Sequence, residues 1–467
     1  QADIGTLDIT ATGSDGIIIN AGEKGIYTNG STTKNSDELA GHINLKAESG
    51  NIQVSSDSSV VEALTNSTVS MTAFNNDITL VSNGSADTAA VYAEGNRAYN
   101  GLAAYQPTVD LTAENGTVSI LTNGKGVWAS GKGSTINVTG AVNINTNYTG
   151  DNNISLLADD ERHVAISAGG MNSSDSLLYK AYGEVNVNLK GTQDSQIIGD
   201  IVGARDGVVN VNSDDYNGSL TIQGDILAGN GGTRTDDEGN NVTVGAVNLD
   251  LGKNGSFTGR VDDYQDAGLK NKVPFFDPHF SNDTVNKNGY VNLKMGSGSK
   301  WQVTGQSWVT TLDGENSVID LTNANNTTNA IHIGTLTGSN TFKVNLNADN
   351  HELSDMIYVG TGTKEKQILD IVNGGDLVDQ MEVNERLRFA TVAEAGGGFG
   401  NNYTVKGRGI RNVNFDIEYK KYAEDAELYE GENDSYNNAD FGEIKPGTKY
   451  VDKTYGTGSN SHNVYLI

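Results

Sequence analysis

The chain has 467 residues, with 31 Lys and Arg against 59 Asp and Glu for a net charge of −28, and it contains 58 Gly, 4 Pro and no Cys. That charge repels polyanions and argues against a nucleic-acid partner, while the absence of cysteine leaves stability to stacked cores and strand ladders. The length exceeds the roughly 250–300 residues of one core, which points to a solenoid whose repeats contact only their neighbours; no apolar run approaches the ~18 residues of a membrane helix.

Internal repetition starts at once. Leu7-Asp-Ile9-Thr-Ala11, Ile43-Asn-Leu45-Lys-Ala47, Val69-Ser-Met71-Thr-Ala73 and Val109-Asp-Leu111-Thr-Ala113 are one motif used four times. The last three copies run through a turn into Ile52-Gln-Val54, Ile78-Thr-Leu80 and Val118-Ser-Ile120. A second motif follows in Gly25-Ile26-Tyr27, Ala90-Val91-Tyr92 and Gly126-Val127-Trp128. Alternation puts one apolar row inward and a Thr, Asn, Ser or Asp row outward. The expected fold is all-β: a single right-handed parallel β-helix with projecting loops and a C-terminal cap. At roughly 20–25 residues per coil and ~4.8 Å between rungs, the chain would make about twenty coils.

From Val185 the repeat becomes Val-Asn: Val185-Asn186-Val187-Asn188, Val209-Asn210-Val211, Val247-Asn248-Leu249 and Val291-Asn292-Leu293. These asparagines have two readings, a solvated face or hydrogen-bonded ladders between rungs. Segments 98–107, 157–184, 231–241 and 262–289 break the rhythm and are expected to project. The last carries Tyr264, Phe275, Phe276 and Phe280 beside Pro274 and Pro278. Aromatics on such a loop can stack on sugars or anchor a protein; alternatively they fold back over the flank.

Trp301 to Asn373 is a run of short alternations separated by Gly, Asn, Asp and Ser, the pattern of brief strands and tight turns. Trp301-x-Val303-Thr-Gly305-x-Ser307, then Val318-Ile319-Asp320-Leu321, Leu336-Thr-Gly338-Ser-Asn340-Thr-Phe342 and Ser354-Asp355-Met356-Ile357 follow in that order. This order resembles the C-terminal passenger region of classical (type Va) bacterial autotransporters, the pertactin-like adhesins. The resemblance is close over residues 245–395. Asn463-Val464-Tyr465-Leu466 resembles the passenger ending of that family, with Val464 where the family has Trp.

The resemblance implies a stem over 1–300, autochaperone-like rungs over 301–395 and a cap over 396–467. Trp301, Trp308, Leu321 and Phe342 would be the folding core of the autochaperone. It also implies an adhesin on the outer surface of a two-membrane bacterium, active in attachment, auto-aggregation or biofilm. The adhesin would be tethered through a β-barrel outside this sequence, and the opening Gln1 fits a leader removed or left out. Its partner would be a host protein or glycan, or an identical passenger on a neighbouring cell. By likeness to self-associating members, Asn186, Asn188, Asn210, Asn248 and Asn292 are the candidate contact face.

The search for chemistry finds neither a Gly-Asp-Ser-Gly turn nor a Gly-Asp-Ser-Leu block. The six histidines (His42, His163, His279, His332, His351 and His462) are scattered without H-E-x-x-H spacing, and a lone His on a strand reads as a surface residue. Asp214-Asp215, Asp236-Asp237-Glu238 and Asp262-Asp263 lack a calcium-loop pattern. The expectation is a non-enzyme without cofactor or metal. The rival is a polysaccharide-binding or polysaccharide-degrading β-helix enzyme that draws carboxylates from neighbouring coils.

Overall fold

The computed structural model describes residues 5–30, 40–85, 88–95, 106–146, 164–169, 182–204, 206–229, 245–262, 289–322, 328–350, 353–362, 367–381, 385–392, 398–399, 402–406, 412–421 and 462–467. Among these residues the structure is nearly all β, 66% strand and 3% helix, with parallel strands in a closed sheet. Two compact units are present: Gln1–Gly252 with Asp263–Val291, and Lys253–Asp262 with Asn292–Ile467.

In the first unit the chain lays down three strands in turn and then repeats, each strand pairing in parallel with its counterpart in the next circuit. The first face contains Gly5–Ala11, Gly41–Ala47, Ser67–Ala73, the starts of Thr108–Thr122 and Thr135–Asn145, Glu184–Asn188, Val208–Asn212 and Ala246–Asp250. The second contains Ile17–Ala21, Ile52–Ser56, Ile78–Ser82, the ends of the two long strands, Ser195–Ile198 and Leu220–Gln223. The third contains Ile26–Asn29, Val61–Leu64, Ala89–Glu94, Lys125–Ser130, Val164–Ala168, Asp200–Ala204 and Ile226–Gly229.

Register keeps each motif on its copy, so Leu7, Ile43, Val69 and Val109 form one row and Ile9, Leu45, Met71 and Leu111 the next. Burial of these rows holds the stack together. Ile43, Leu45, Val69, Met71, Val109 and Leu111 are at most 2% exposed. Leu7 at 40% and Ile9 at 37% are not. Their strand pairs, among the described residues, only with Gly41–Ala47.

Two expectations need correction. Val164–Ala168 is a third-face strand between Lys125–Ser130 and Asp200–Ala204, so segment 157–184 does not project as a whole. Its five residues are all buried, and the outward side chains of its row, Ser167, Val202 and Leu227, are 0% exposed. A strand buried on both faces loses the alternation by which sequence marks strands. The circuits are also longer and fewer than expected. Successive first-face partners lie 24 to 49 residues apart, and among the described residues eight strands form that face. In sequence, 31–39, 96–105, 170–181 and 230–244 each fall between a third-face strand and the next first-face strand, and 147–163 fall between a second-face strand and a third-face strand.

A glycine column marks the corner between the third face and the first. Gly183, Gly207 and Gly245 each precede a first-face strand, and each accepts a hydrogen bond from the residue opening the strand one circuit on: Val208 N–H to Gly183, Ala246 N–H to Gly207, and Tyr290 N–H, at the start of Tyr290–Met295, to Gly245. A Cβ on Gly207 would fall 2.2 Å from the Ala168 carbonyl, and one on Gly245 2.1 Å from the Gly203 oxygen. No side chain fits there.

The second unit continues the three-strand order. One face runs Ser256–Gly259, Lys300–Val303, the end of Ser307–Asp320, the end of Ala330–Val344 and Ile368–Ile371. Another runs Val261–Asp262, the starts of the two long strands, Met356–Gly362 and Leu387–Val392. Trp301, Leu321 and Phe342 are 0% exposed and Trp308 6%. Trp301 stacks on Phe257 at 5.5 Å and donates its indole N–H to Gly259 O at 2.9 Å. Beyond Val392 a single parallel bridge, Gln367 to Phe399, remains among the described residues, and the strands pair antiparallel: His462–Leu466 with both Leu387–Val392 and Asn412–Lys421, and the latter with Asn402–Lys406.

Candidate functional site

The outward rows of the first face are mostly polar and partly exposed, with Val208 and Ala246 as apolar members of the row through Glu184. Three columns run across it: Thr68, Thr108, Thr135 and Glu184; Ser70, Asp110, Asn137, Asn186, Asn210 and Asn248; Thr72, Thr112, Thr139 and Asn188. The middle column answers which of the two asparagine readings holds. Asn137 Nδ2 donates to Asp110 Oδ1 at 2.7 Å, Asn186 Nδ2 to Asn137 Oδ1 at 3.0 Å, Asn210 Nδ2 to Asn186 Oδ1 at 2.8 Å and Asn248 Nδ2 to Asn210 Oδ1 at 2.8 Å. It is a ladder.

The ladder has a direction, and Asp110 sets it. An ionised carboxylate only accepts, so the Asn137 amide must turn its nitrogen toward Asp110. Its oxygen is then left to accept from Asn186, and the same choice passes up the column. Asn44 Nδ2 donates to Asp8 Oδ1 at 2.7 Å in the same sense. Aligned chains of this kind polarise one another. Asp110 as the starting acceptor was not anticipated; the motif copies alone place it beneath the Val-Asn series.

The other candidates fall in different places. Asn188 shares a rung with Asn186 but lies in the adjoining column, opposite Thr139. Asn292 is in the second unit, where its Oδ1 accepts from Thr311 Oγ1 at 2.7 Å. Tyr264, Phe275, Phe276 and Phe280 lie outside the described residues. Asp214 and Asp215 are exposed, Asp262 is buried, and Asp236, Asp237, Glu238 and Asp263 are outside the description. Among the described residues no group of three or more His, Asp or Glu could hold a metal ion.

Sequence reasoning missed two buried ionisable groups in the second unit. His332, expected at the surface, lies between Trp308 and Tyr358, with ring centroids at 4.9 and 4.4 Å and interplanar angles of 5° and 1°. The three occupy equivalent positions of adjacent strands, which is the signal that register could have supplied. Burial pushes the His332 pKa down to about 3. Asp355 is 2% exposed, and its carboxylate accepts the Asn329 N–H at 2.8 Å and the Asn345 N–H at 2.7 Å. Burial, with the nearby Asp320 charge adding to it, outweighs those two N–H groups and pushes Asp355 up to about 7.

No protein-family model matches the chain, and a search of curated proteins finds no match either.

Proposed function

We propose that this chain is the adhesive passenger of an autotransporter, a right-handed parallel β-helix displayed outside a two-membrane bacterium, and that its first face makes the contact with identical copies. The observation that carries this reading is the directed Asp110–Asn248 ladder, which has threonines on both sides at its Asp110 and Asn137 rungs. A regular polar surface of this kind offers many weak hydrogen bonds, each about 0.5–1.5 kcal/mol net.

Charge selects how two such faces would meet. Consider a two-fold axis lying along the strands, between the Asn137 and Asn186 rungs. By the observed register Asp110 then faces Asn210 and Glu184 faces Thr135, and Asp250, one residue past the Val211–Leu249 pair, falls opposite Thr72 when that register is continued by one step. Every acid meets a neutral donor, whereas ladders running the same way and rung on rung would set Asp110 against Asp110. Six rungs of five residues cover roughly 500 Å² per copy at strand dimensions, which is at the weak end for a stable pair. Many copies on each cell supply the remainder through multivalency.

The test is display of the chain on a non-aggregating bacterium, with clumping scored by settling. Asn137→Asp with Asn210→Asp should disperse the cells while Phe275→Ala with Phe276→Ala leaves them clumped. Dispersal by the loop pair alone would move adhesion to 262–289. Release of sugar products from a polysaccharide panel would replace the adhesin reading with an enzyme.

A further inference from the structure

The geometry points to a strand-accepting cleft between Leu387–Val392 and Asn412–Lys421, whose ligand is an extended peptide and which this chain fills with its own segment His462–Leu466. Independently of the adhesive reading, this is a binding site built from backbone edges. The inserted strand pairs antiparallel on both sides, Leu387 to Val392 with Leu466 to His462 on one edge and Ile417 to Lys421 with Leu466 to His462 on the other. The pairing extends to Ile467, which exchanges both backbone bonds with Asp416 at 3.0 and 3.3 Å.

Side chains make the fit specific. Val464 and Leu466 are 0% exposed and Tyr465 3%, against Leu387 and Phe389, both 0% exposed. Tyr465 lies in one cross-strand row between Arg388 and Glu418. The walls are tied to each other by Arg386 Nη2 donating to Glu418 Oε1 at 3.1 Å. The cleft therefore reads a peptide with two small or branched apolar residues flanking an aromatic one, as strand-addition sites read alternate side chains.

The filled cleft also protects the second unit. Leu387–Val392 is the last strand in the parallel series, and an unfilled edge there would invite strand addition. All paired residues of the insert lie more than forty positions from their partners. The contacts are tertiary, so a separate peptide can reproduce them.

The experiment uses a chain lacking residues 461–467, a full chain carrying Val464→Asp and Leu466→Asp, and a fluorescent peptide of residues 461–467 followed by anisotropy. Saturable binding to both variants and at least tenfold weaker binding to the unaltered chain is expected. A peptide with the same two Asp substitutions should bind neither variant. If the shortened chain does not fold alone, refolding it with the peptide should restore strand circular dichroism, and the Asp peptide should not. Equal binding of both peptides, or no binding and no rescue, would overturn the cleft. So would unchanged amide protection of 387–392 after the deletion.

Discussion

At the scale of single residues, Trp301 was legible as core from its place in an apolar alternation, and it is 0% exposed against Phe257. Trp301→Ala should cost ~3–5 kcal/mol through the cavity and lost contacts, measured as a lower urea midpoint. His332 and Asp355 were not legible, because their burial follows from which residue lies on the adjacent strand. Their pH effects oppose each other. Asp355 moves from the ordinary 3.8 to about 7, so its contribution is complete below 3.8 and is lost as pH rises toward 7. His332 moves from 6.5 to about 3, so its contribution is complete above 6.5 and is lost as pH falls toward 3. Between these limits the two slopes, each about 1.4 kcal/mol per pH unit, cancel. His332→Phe should therefore make stability fall with rising pH from about 4 to 7, and Asp355→Asn should make it rise with pH over about 3 to 6.5. Urea unfolding at each pH, read by tryptophan fluorescence, tests both. Flat profiles for both variants would refute the assignment.

At the scale of the element, strands with one wet face could be read directly, since Ile43, Leu45, Val69 and Met71 are buried where alternation put them. Val164–Ala168 escaped notice because both of its faces are covered and polar, acid-rich residues precede it. The corner glycines recur in sequence, but their necessity is a matter of backbone approach. Gly245→Ala should destabilise by ~1–3 kcal/mol, the range for overpacking, whereas Gly13→Ala, with nothing within 4 Å of its Cβ, should not. Within the ladder, Asn186→Asp sets acceptor against acceptor at Asn137 and should cost about 1–3 kcal/mol. Thermal unfolding of the three variants side by side decides.

At the scale of the whole molecule, composition made the repetition and the parallel all-β character readable, while insertions concealed the number of circuits. The net charge of −28 sets the conditions for the proposed adhesion between copies. Exposed charges are screened beyond ~8 Å at physiological ionic strength and much less in dilute buffer. Clumping of displayed cells should be weak at low salt and grow toward 0.15 M; clumping that declines steadily with added salt would mean attraction between unlike charges instead.

The unequal circuits also have a mechanical meaning. Pulled from its ends, a stack of this kind can lose one circuit at a time, because each circuit is held by its neighbours alone. The chain freed per event is then set by the spacing of ladder partners, which for successive pairs from Asp110 to Asn248 is 27, 49, 24 and 38 residues. At ~3.3 Å per residue these release roughly 90, 160, 80 and 125 Å. A force trace should therefore be an irregular staircase, with long treads where the insertions lie. Deleting residues 231–241 should shorten one tread by roughly 36 Å and leave the others unchanged. A single all-or-none rupture would show that the circuits share one cooperative core.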